Sequence, residues 1–187
     1  MVEAFYGLCN QAHKTWRIQQ LAFQENHQKF DLALSWAGDA LRHFRSLSQE
    51  SFMHQISKLH DPAMQNGRAN LTVEYMVRFG GWDEITEQKL QELKGLLDEL
   101  ADKVRPARHR ILSHNDLEAI LSKATLGQFP EGEDTTYFRN LQDFCDVIRI
   151  NVIGQKEPFT NEAEAVVKGL LWFFRDESLN NQPTTTS

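Results

Sequence analysis

The sequence predicts an all-α protein, an up-and-down helical bundle of about five to seven helices. Three observations predict this fold class. Apolar residues recur at spacings of three and four along most of the chain, which is the spacing of one helical face. No stretch alternates between apolar and polar residues for long enough to indicate a strand. Only 10 glycines and 5 prolines occur in 187 residues, which is few for a chain of many strands and turns.

The length of 187 residues suits one domain of ordinary size. We predict a single helical domain over residues 1–177 and a disordered polar tail over residues 178–187. Hydrophobic residues make up 41% and charged residues 25%, which excludes a disordered or fibrous chain. The sequence has no signal-peptide pattern and no apolar run of the ~20 residues that a membrane span needs. We therefore expect a cytoplasmic protein without a membrane partner, in which Cys9 and Cys145 are reduced thiols.

The first two helices are predicted from apolar spacing and a proline. One helix covers about Val2 to Gln24, and its inner face contains Phe5, Leu8, Ala12 and Trp16. A second begins at Phe30 or Leu34 and ends at Leu59. Asp61-Pro62 ends it, because the residue before a proline leaves the helical region.

A short helix is predicted beyond a turn. The segment from Ala63 to Ala69 is predicted to be a loop, because Asn66-Gly67 is a strong turn signal. Asn70 is predicted to cap a helix that runs to Phe79, and Gly80-Gly81 ends that helix.

The fourth helix carries the most regular pattern in the sequence. Its apolar positions alternate spacings of three and four without interruption: Leu90, Leu93, Leu97, Leu100, Val104, Ala107 and Ile111. The stripe continues past Pro106, which is expected to kink the helix without necessarily ending it. Asn115, with Glu118 three residues later, then indicates the start of a new helix.

Two further helices follow a loop predicted over residues 125–133. The first spans about Asp134 to Ile153, with Phe138, Leu141, Phe144, Cys145 and Ile148 on its inner face. The last covers about Asn161 to Arg175, with Val166, Val167, Leu170, Leu171 and Phe174 on its inner face.

The net charge of −6, from 20 basic and 26 acidic residues, disfavours a protein that coats nucleic acid non-specifically. One segment departs from this average. Between Lys103 and His114 the chain has four basic residues, two histidines and no acidic residue. The candidate site residues lie in this segment, and they are Arg105, Arg108, His109, Arg110 and His114.

On a helical wheel of about 100° per residue, Arg108 and His114 flank the apolar stripe. Arg110 lies on the same flank as His114, whereas Arg105 and His109 point to water. Histidine exchanges a proton at neutral pH, and arginine offers a forked donor that matches phosphate oxygens. Such a pair suits RNA cleavage without a metal. Basic residues also complement the dipole at the C-terminal end of a helix, so spacing alone leaves both interpretations open.

The segment RHRILSH resembles the Arg-x(4–6)-His signature of the HEPN superfamily (higher eukaryotes and prokaryotes nucleotide-binding), with Arg108 and His114 as its motif residues. Upstream, residues 56–76 resemble the abortive-infection U-like branch of that superfamily. There a Leu-x-Asp-Pro step ends a helix, and a loop with glycine leads to an Asn-Leu-Thr/Ser helix start. The matching residues are Leu59, Asp61, Pro62, Gly67, Asn70, Leu71 and Thr72. The resemblance covers roughly residues 30–120.

This resemblance implies a HEPN-like helical bundle that forms a homodimer with its Arg-His motifs at the interface. It implies a metal-independent endoribonuclease of phage defence or of a toxin–antitoxin system. RNA is then the substrate, and an antitoxin or a nucleotidyltransferase is a further partner. Arg108 and His114 are the expected catalytic residues, and His109, Arg110 and Arg105 are expected to contact phosphates. Since some HEPN members are inactive, a non-catalytic module that binds a nucleotide or a partner protein is the alternative.

No metal and no cofactor are expected. Zinc takes three or four convergent ligands, and the histidines outside the motif do not pair with carboxylates at metal-ligand spacings. Asp61 and Asn70 are interpreted as a helix stop and a helix cap rather than as ligands.

Overall fold

The computed structural model describes residues 1–25, 27–107 and 132–180, and this part of the chain is almost entirely helical. Its α-helices are α1 (Val2–Gln19), α2 (His27–Leu59), α3 (Val73–Phe79), α4 (Glu84–Ala107), α5 (Glu133–Ile153) and α6 (Glu162–Asn180). A π-helical segment, Gln20–Glu25, follows α1. The strands in the described residues are the two-residue β1 (Met64–Gln65) and β2 (Arg68–Ala69). The predicted all-α class is confirmed for these residues.

The described residues form two compact units. The first unit combines Met1–His13 with Phe52–Phe159, and the second combines Lys14–Ser51 with the described residues from Thr160 onward. The single domain over residues 1–177 stays a prediction.

Helix α5 supplies the centre of the core of the first unit. Its fully buried residues follow the spacing of three and four that predicted an inner face, and they are Tyr137, Leu141, Phe144, Cys145 and Ile148. The observed helix begins one residue before the predicted start and ends at the predicted residue. At its end Gly154 has a φ of 83° and caps the helix through its backbone N–H, a conformation that glycine adopts without steric cost.

Helices α4 and α5 run antiparallel in this unit. Near the start of α4, Thr86 Oγ1 lies 3.2 Å from Asn151 Oδ1, at the end of α5. At the other end, Lys103 Nζ pairs with Glu133 Oε1 at 2.7 Å. The buried face of α4 is the predicted one, and it contains Leu90, Leu93, Leu97 and Leu100. Full burial of one such side chain contributes about 1.5–3 kcal/mol.

Helix α5 also buries a cation. The Arg149 side chain is 2% exposed, and it pairs with Glu3 at 2.7 Å and with Glu157. Its guanidinium lies 4.7 Å from the centroid of the Tyr6 ring. The two carboxylates balance a charge that would be costly to bury alone, and they join the start of α1 to the end of α5 and the loop beyond it.

The inner face of α1 differs from the predicted one at one position. Leu8 is predicted to point inward, but it is 48% exposed, and Cys9 is fully buried instead. The buried stripe therefore runs through Cys9 with spacings of four, three and four. Cys9 and Cys145 are free thiols that hydrogen-bond to each other, as expected of reduced cysteines. Burial, followed by that bond, raises the pKa of Cys9 well above its ordinary value.

The predicted loop between α2 and α3 is a tight antiparallel hairpin, in which Met64 pairs with Ala69 and Gln65 with Arg68. The turn signal is confirmed. Its two central residues, Asn66 and Gly67, have φ angles of 51° and 76°, the left-handed conformation that a two-residue hairpin turn requires.

The prediction that Asn70 caps α3 is wrong. Thr72 is the N-cap, and its Oγ1 accepts a hydrogen bond from the Tyr75 N–H at 3.2 Å. Asn70 Nδ2 instead donates to the Pro62 carbonyl at 2.9 Å, and its N–H donates to the Ala63 carbonyl at 2.8 Å. Asn70 therefore closes the base of the hairpin, which leaves the cap position to the threonine two residues later.

In the second unit, the end of α1 and the π-helical segment run antiparallel to α2. Gln19 Nε2 donates to Ser48 Oγ at 3.3 Å, and the ring centroids of Phe23 and Phe44 lie 6.1 Å apart. The core cluster of this unit consists of Leu21, Ala22, Leu41, Ala163 and Val167.

Helix α6 joins this unit through the Lys14–Glu162 ion pair, at 2.5 Å. The helix runs to Asn180, so the first residues of the predicted tail are helical, and residues 181–187 lie outside the described residues.

Candidate functional site

Most of the site predicted from the sequence lies outside the described residues. Arg108, His109, Arg110 and His114 belong to the segment 108–131, as do the predicted capping pair and most of the predicted loop. Arg105 lies in the last turn of α4, where the backbone is described. The catalytic and phosphate-binding roles of these five residues stay predictions.

Helix α4 leads directly to this segment. It is helical through Pro106 to Ala107, the last described residue before that segment, so Pro106 itself does not end the helix. Because the buried leucines of α4 form one continuous stripe, the helix is held against the core of the first unit up to Leu100. The packed part of α4 therefore reaches to within eight residues of Arg108 in the sequence.

One cation of the acid-free segment has an acidic partner from another helix. Lys103 Nζ contacts Glu133 Oε1 at 2.7 Å, and the two side chains are 38% and 29% exposed. Thirty residues separate the partners in sequence, so the local composition around Lys103 does not reveal the pair. Glu133 therefore offsets part of the positive charge that the sequence of residues 103–114 predicts.

A partly buried polar cluster joins the end of α2 to α4 and α5 in the first unit. We call it the His60 network, and it consists of His60, Lys94, Asp98 and Tyr137. The His60 side chain is 3% exposed, and its Nδ1 lies 2.8 Å from Asp98 Oδ1. Its Nε2 lies 3.0 Å from the Tyr137 hydroxyl, and Lys94 Nζ pairs with the second Asp98 oxygen. Both ring nitrogens of the histidine therefore have partners.

The pKa values of two members indicate where the protons lie. Burial alone would raise the pKa of Asp98, but hydrogen bonds from His60 and Lys94 outweigh it and hold that pKa below its ordinary value. Burial raises the pKa of the Tyr137 phenol well above its ordinary value. An ionised Asp98 can only accept, so His60 Nδ1–H donates to it, and His60 Nε2 shares its hydrogen bond with the Tyr137 hydroxyl.

A cavity of about 460 Å³ lies in the first unit, between α1, the end of α2 and the segment after the hairpin. We call it the amide cavity, because three carboxamide side chains line it: Gln11, Gln55 and Asn70. Lys58 and Asp61 supply its charged groups. Its apolar walls come from Leu8, Leu59, Ala69 and Leu71, and Thr72 completes the lining.

Neither the His60 network nor the amide cavity was predicted from the sequence. The contacts of His60 reach residues 38 and 77 positions away, and no local pattern specifies them. One sequence feature did point to the cavity, namely the family resemblance. Five of the seven residues that carry the resemblance to the abortive-infection U-like branch line it: Leu59, Asp61, Asn70, Leu71 and Thr72.

The described part of the chain has neither a cluster of metal ligands nor a helix suited to a membrane. Its His, Cys, Asp and Glu side chains form no group of three that could hold a metal ion. None of its helices combines the length and the apolar character that crossing a membrane requires.

The comparisons with known proteins identify a family. No curated protein and no solved structure matches the chain significantly. A family model named HEPN_AbiU2, described as AbiU2, matches residues 1–169. That range contains the Arg108–His114 segment and residues 56–76, and it spans more than half of the chain. The chain therefore belongs to the AbiU2 family, the abortive-infection U-like branch of the HEPN superfamily.

Proposed function

We propose that this protein is a metal-independent endoribonuclease of phage defence or of a toxin–antitoxin system, and that it acts as a homodimer with its motifs at the interface. His114 is the general acid–base, and Arg108 stabilises the charge that grows on the phosphorus oxygens. His109, Arg110 and Arg105 contact phosphates of the RNA. The observation that supports this most strongly is the family match over residues 1–169, because it contains the whole motif.

The proposed reaction is attack by the 2′-hydroxyl of the RNA on the adjacent phosphorus. Neutral His114 removes the hydroxyl proton, the 2′-oxygen bonds to phosphorus, and the bond from phosphorus to the 5′-oxygen breaks. The leaving oxygen takes a proton, so the products end in a 2′,3′-cyclic phosphate and a 5′-hydroxyl. One histidine serves one proton transfer, and a two-fold dimer supplies the second from the partner chain.

The described structure supports the proposal through α4. This helix is packed along its leucine stripe and leads without interruption to residue 107, so it can hold the following arginine on a rigid element. Because Lys103 is paired with Glu133, we expect the arginines between residues 103 and 114 to make the phosphate contacts.

The test is cleavage of single-stranded RNA in EDTA by the wild type, His114→Ala and Arg108→Ala. His43→Ala is the control, because His43 is an exposed histidine of α2 outside the motif. We expect cleavage by the wild type and the control, and a loss of about 10²–10⁴-fold in each motif variant. Equal activity in His114→Ala, or activity only after a metal is added, contradicts the proposal.

A non-catalytic module that binds a nucleotide or a partner protein is the second candidate. The net charge of −6 favours it, because an acidic protein attracts a long RNA poorly. This candidate predicts binding without cleavage and with weak salt dependence. Contacts to several RNA phosphates would instead make the affinity fall steeply as salt rises.

A further inference from the structure

The amide cavity has the size and the mixed lining of a small-molecule site. Its volume of about 460 Å³ lies within the range of about 300–1,000 Å³ that such sites occupy. Polar groups from α1, α2 and the segment after the hairpin converge on it, and leucines supply the remaining walls. All of these residues belong to the first unit.

The three carboxamides indicate the chemistry of the ligand. A carboxamide carries a donor and an acceptor side by side, and Asn70 places such a group at the cavity wall. The edge of a nucleobase presents the same groups in the complementary order, and Asn and Gln make two hydrogen bonds at once to such an edge. A set of carboxamides therefore suits a base better than it suits an anion or a metal ion.

Asn70 is held in place for such a contact. Its Nδ2 donates to the Pro62 carbonyl at 2.9 Å, and its own N–H bonds to the Ala63 carbonyl, so the closed hairpin fixes the residue. No described residue donates a hydrogen bond to Asn70 Oδ1. This oxygen and the second N–H of the amide are thus available to a ligand, on a side chain whose position is already set.

Leu8 gives the cavity an exposed apolar wall. Leu8 lines the cavity and is 48% exposed, although the helical spacing of α1 predicts it to be inward. Leu59, which is 3% exposed, and Leu71 line the same space. Apolar side chains of this kind pack against the faces of an aromatic ring, while polar groups address its edge.

The charged residues fit the rest of a nucleotide. Lys58 is exposed, and no described carboxylate pairs with it, so its ammonium can meet a phosphate. Asp61 follows three residues later, and a carboxylate accepts hydrogen bonds from ribose hydroxyls.

We propose that the amide cavity binds one nucleobase of a nucleotide, with Asn70 addressing the base edge and Leu8 covering a base face. The base belongs either to a free nucleoside monophosphate or to an unpaired nucleotide of RNA. The RNA source rests on the proposed function; the binding of a base does not.

The cavity is connected to the helix that leads to the motif. His60 lies between Lys58 and Asp61 of the cavity lining, and it bonds to Asp98 of α4 at 2.8 Å. Arg105 follows Asp98 by seven residues, which is about 10 Å along an α-helix. A base held in the cavity and the phosphates of the same RNA strand can therefore engage one rigid part of the first unit.

The experiment measures binding of the four nucleoside 5′-monophosphates to the full chain by calorimetry. Ribose 5-phosphate, which has no base, is the matched probe. Leu8→Glu places a charge in the cavity, and Leu96→Glu is its control, because both leucines are 48% exposed on helices of the first unit. Asn70→Ala and Lys58→Gln test the base edge and the phosphate separately. A thermal melt of each variant identifies any loss of folding.

We expect at least one monophosphate to bind, and ribose 5-phosphate to bind far more weakly. Leu8→Glu and Asn70→Ala weaken binding by about tenfold or more, whereas Leu96→Glu does not change it. Equal binding of ribose 5-phosphate, equal affinities of the two leucine variants, or no monophosphate and no RNA binding at millimolar concentration overturns the proposal.

A second arm identifies the source of the base. Single-stranded RNA pentanucleotides are titrated into His114→Ala, which is expected not to cleave them, with and without Leu8→Glu. Weaker RNA binding in the double variant assigns the cavity to the RNA substrate, and unchanged RNA binding assigns it to a free nucleotide. Both arms measure binding rather than turnover, so a failure of the nuclease proposal and a failure of this one give different results.

Discussion

His60 shows how one buried side chain fixes three elements of the first unit. It lies just beyond α2 and hydrogen-bonds to Asp98 on α4 and to the Tyr137 hydroxyl on α5. A buried histidine with partners at both nitrogens is specific for one arrangement of these helices, because losing either partner leaves a polar atom unsatisfied.

Asp98→Asn is expected to lower the free energy of unfolding by about 1–3 kcal/mol at pH 7, because hydrogen bonds to a charged group are replaced by weaker ones. The free energy of unfolding of the wild type is also expected to depend on pH. The folded pKa of Asp98 is depressed, so its stabilisation is present above the ordinary pKa of about 3.9 and is lost as the pH falls through the lower folded value. Urea unfolding between pH 7 and pH 2.5 measures both effects.

Glu99→Gln is the control for this prediction, since Glu99 is the exposed neighbour of Asp98 on α4. It is expected to change the stability by less than about 0.5 kcal/mol and to keep the acid slope of the wild type. Identical acid slopes in the wild type and Asp98→Asn would show that the His60 network does not stabilise the fold.

The buried Arg149 predicts a strong non-additivity between its two partners. Glu3→Gln or Glu157→Gln alone leaves one carboxylate, so each costs about 1 kcal/mol or less. The double variant leaves a guanidinium that is 2% exposed without a counter-charge, and it is expected to cost about 3 kcal/mol or more. Urea unfolding measures the coupling, with the surface pair Lys14–Glu162 as a reference in which Glu162→Gln costs little. Additive effects would contradict this account.

Helix α3 ends beneath the indole ring of Trp82. Trp82 Nε1 donates to the Met76 carbonyl at 2.7 Å, so the ring covers the last turn of the helix. A Cβ added at Gly80 would fall on this ring, although the backbone of Gly80, with a φ of −76°, accepts any residue. The glycine is needed for space rather than for its conformation.

Gly80→Ala is therefore expected to displace Trp82 and to destabilise the fold by about 1–3 kcal/mol. Gly95→Ala on α4 is the matched control, because nothing lies within 4 Å of its Cβ position, and it is expected to stabilise the fold by about 0.5–1 kcal/mol. Thermal melts and the near-ultraviolet signal of tryptophan measure the two effects. A Gly80→Ala variant as stable as Gly95→Ala would contradict the packing described here.

The helices could be predicted because the spacing of apolar residues along the chain determines which helical face is buried. Helix α5 begins within one residue of its predicted start, and α4 buries the predicted leucines. The cap of α3 could not be predicted from residue type alone, because Asn and Thr are both good N-caps. The choice of Thr72 depends on the hairpin that Asn70 closes. The contacts of His60 depend on distant residues in the same way. The Arg108–His114 site stays a sequence prediction.

At the scale of the whole molecule, the proposed function requires two chains, since each supplies one histidine to the reaction. The chain has a mass of 21.6 kDa, so light scattering is expected to give about twice that value at concentrations where the protein is active. Full activity in a preparation that is monomeric at the assay concentration would contradict the proposed sharing of histidines.

The charge of the whole molecule sets the conditions for RNA binding. A net charge of −6 repels a polyanion, so in the proposed function the arginines between residues 103 and 114 supply the attraction locally. We expect the affinity of His114→Ala for single-stranded RNA to fall as salt rises, with a slope that reflects a few phosphate contacts.

The most direct test of the central claim is the chemistry of the RNA ends formed in EDTA. The proposed mechanism predicts that the wild type leaves a 2′,3′-cyclic phosphate and a 5′-hydroxyl. It also predicts that a single 2′-deoxy substitution at the mapped position blocks cleavage there, and that His114→Ala forms no such products. Ends with a 3′-hydroxyl and a 5′-phosphate, cleavage at the 2′-deoxy position, or undiminished cleavage by His114→Ala would contradict it.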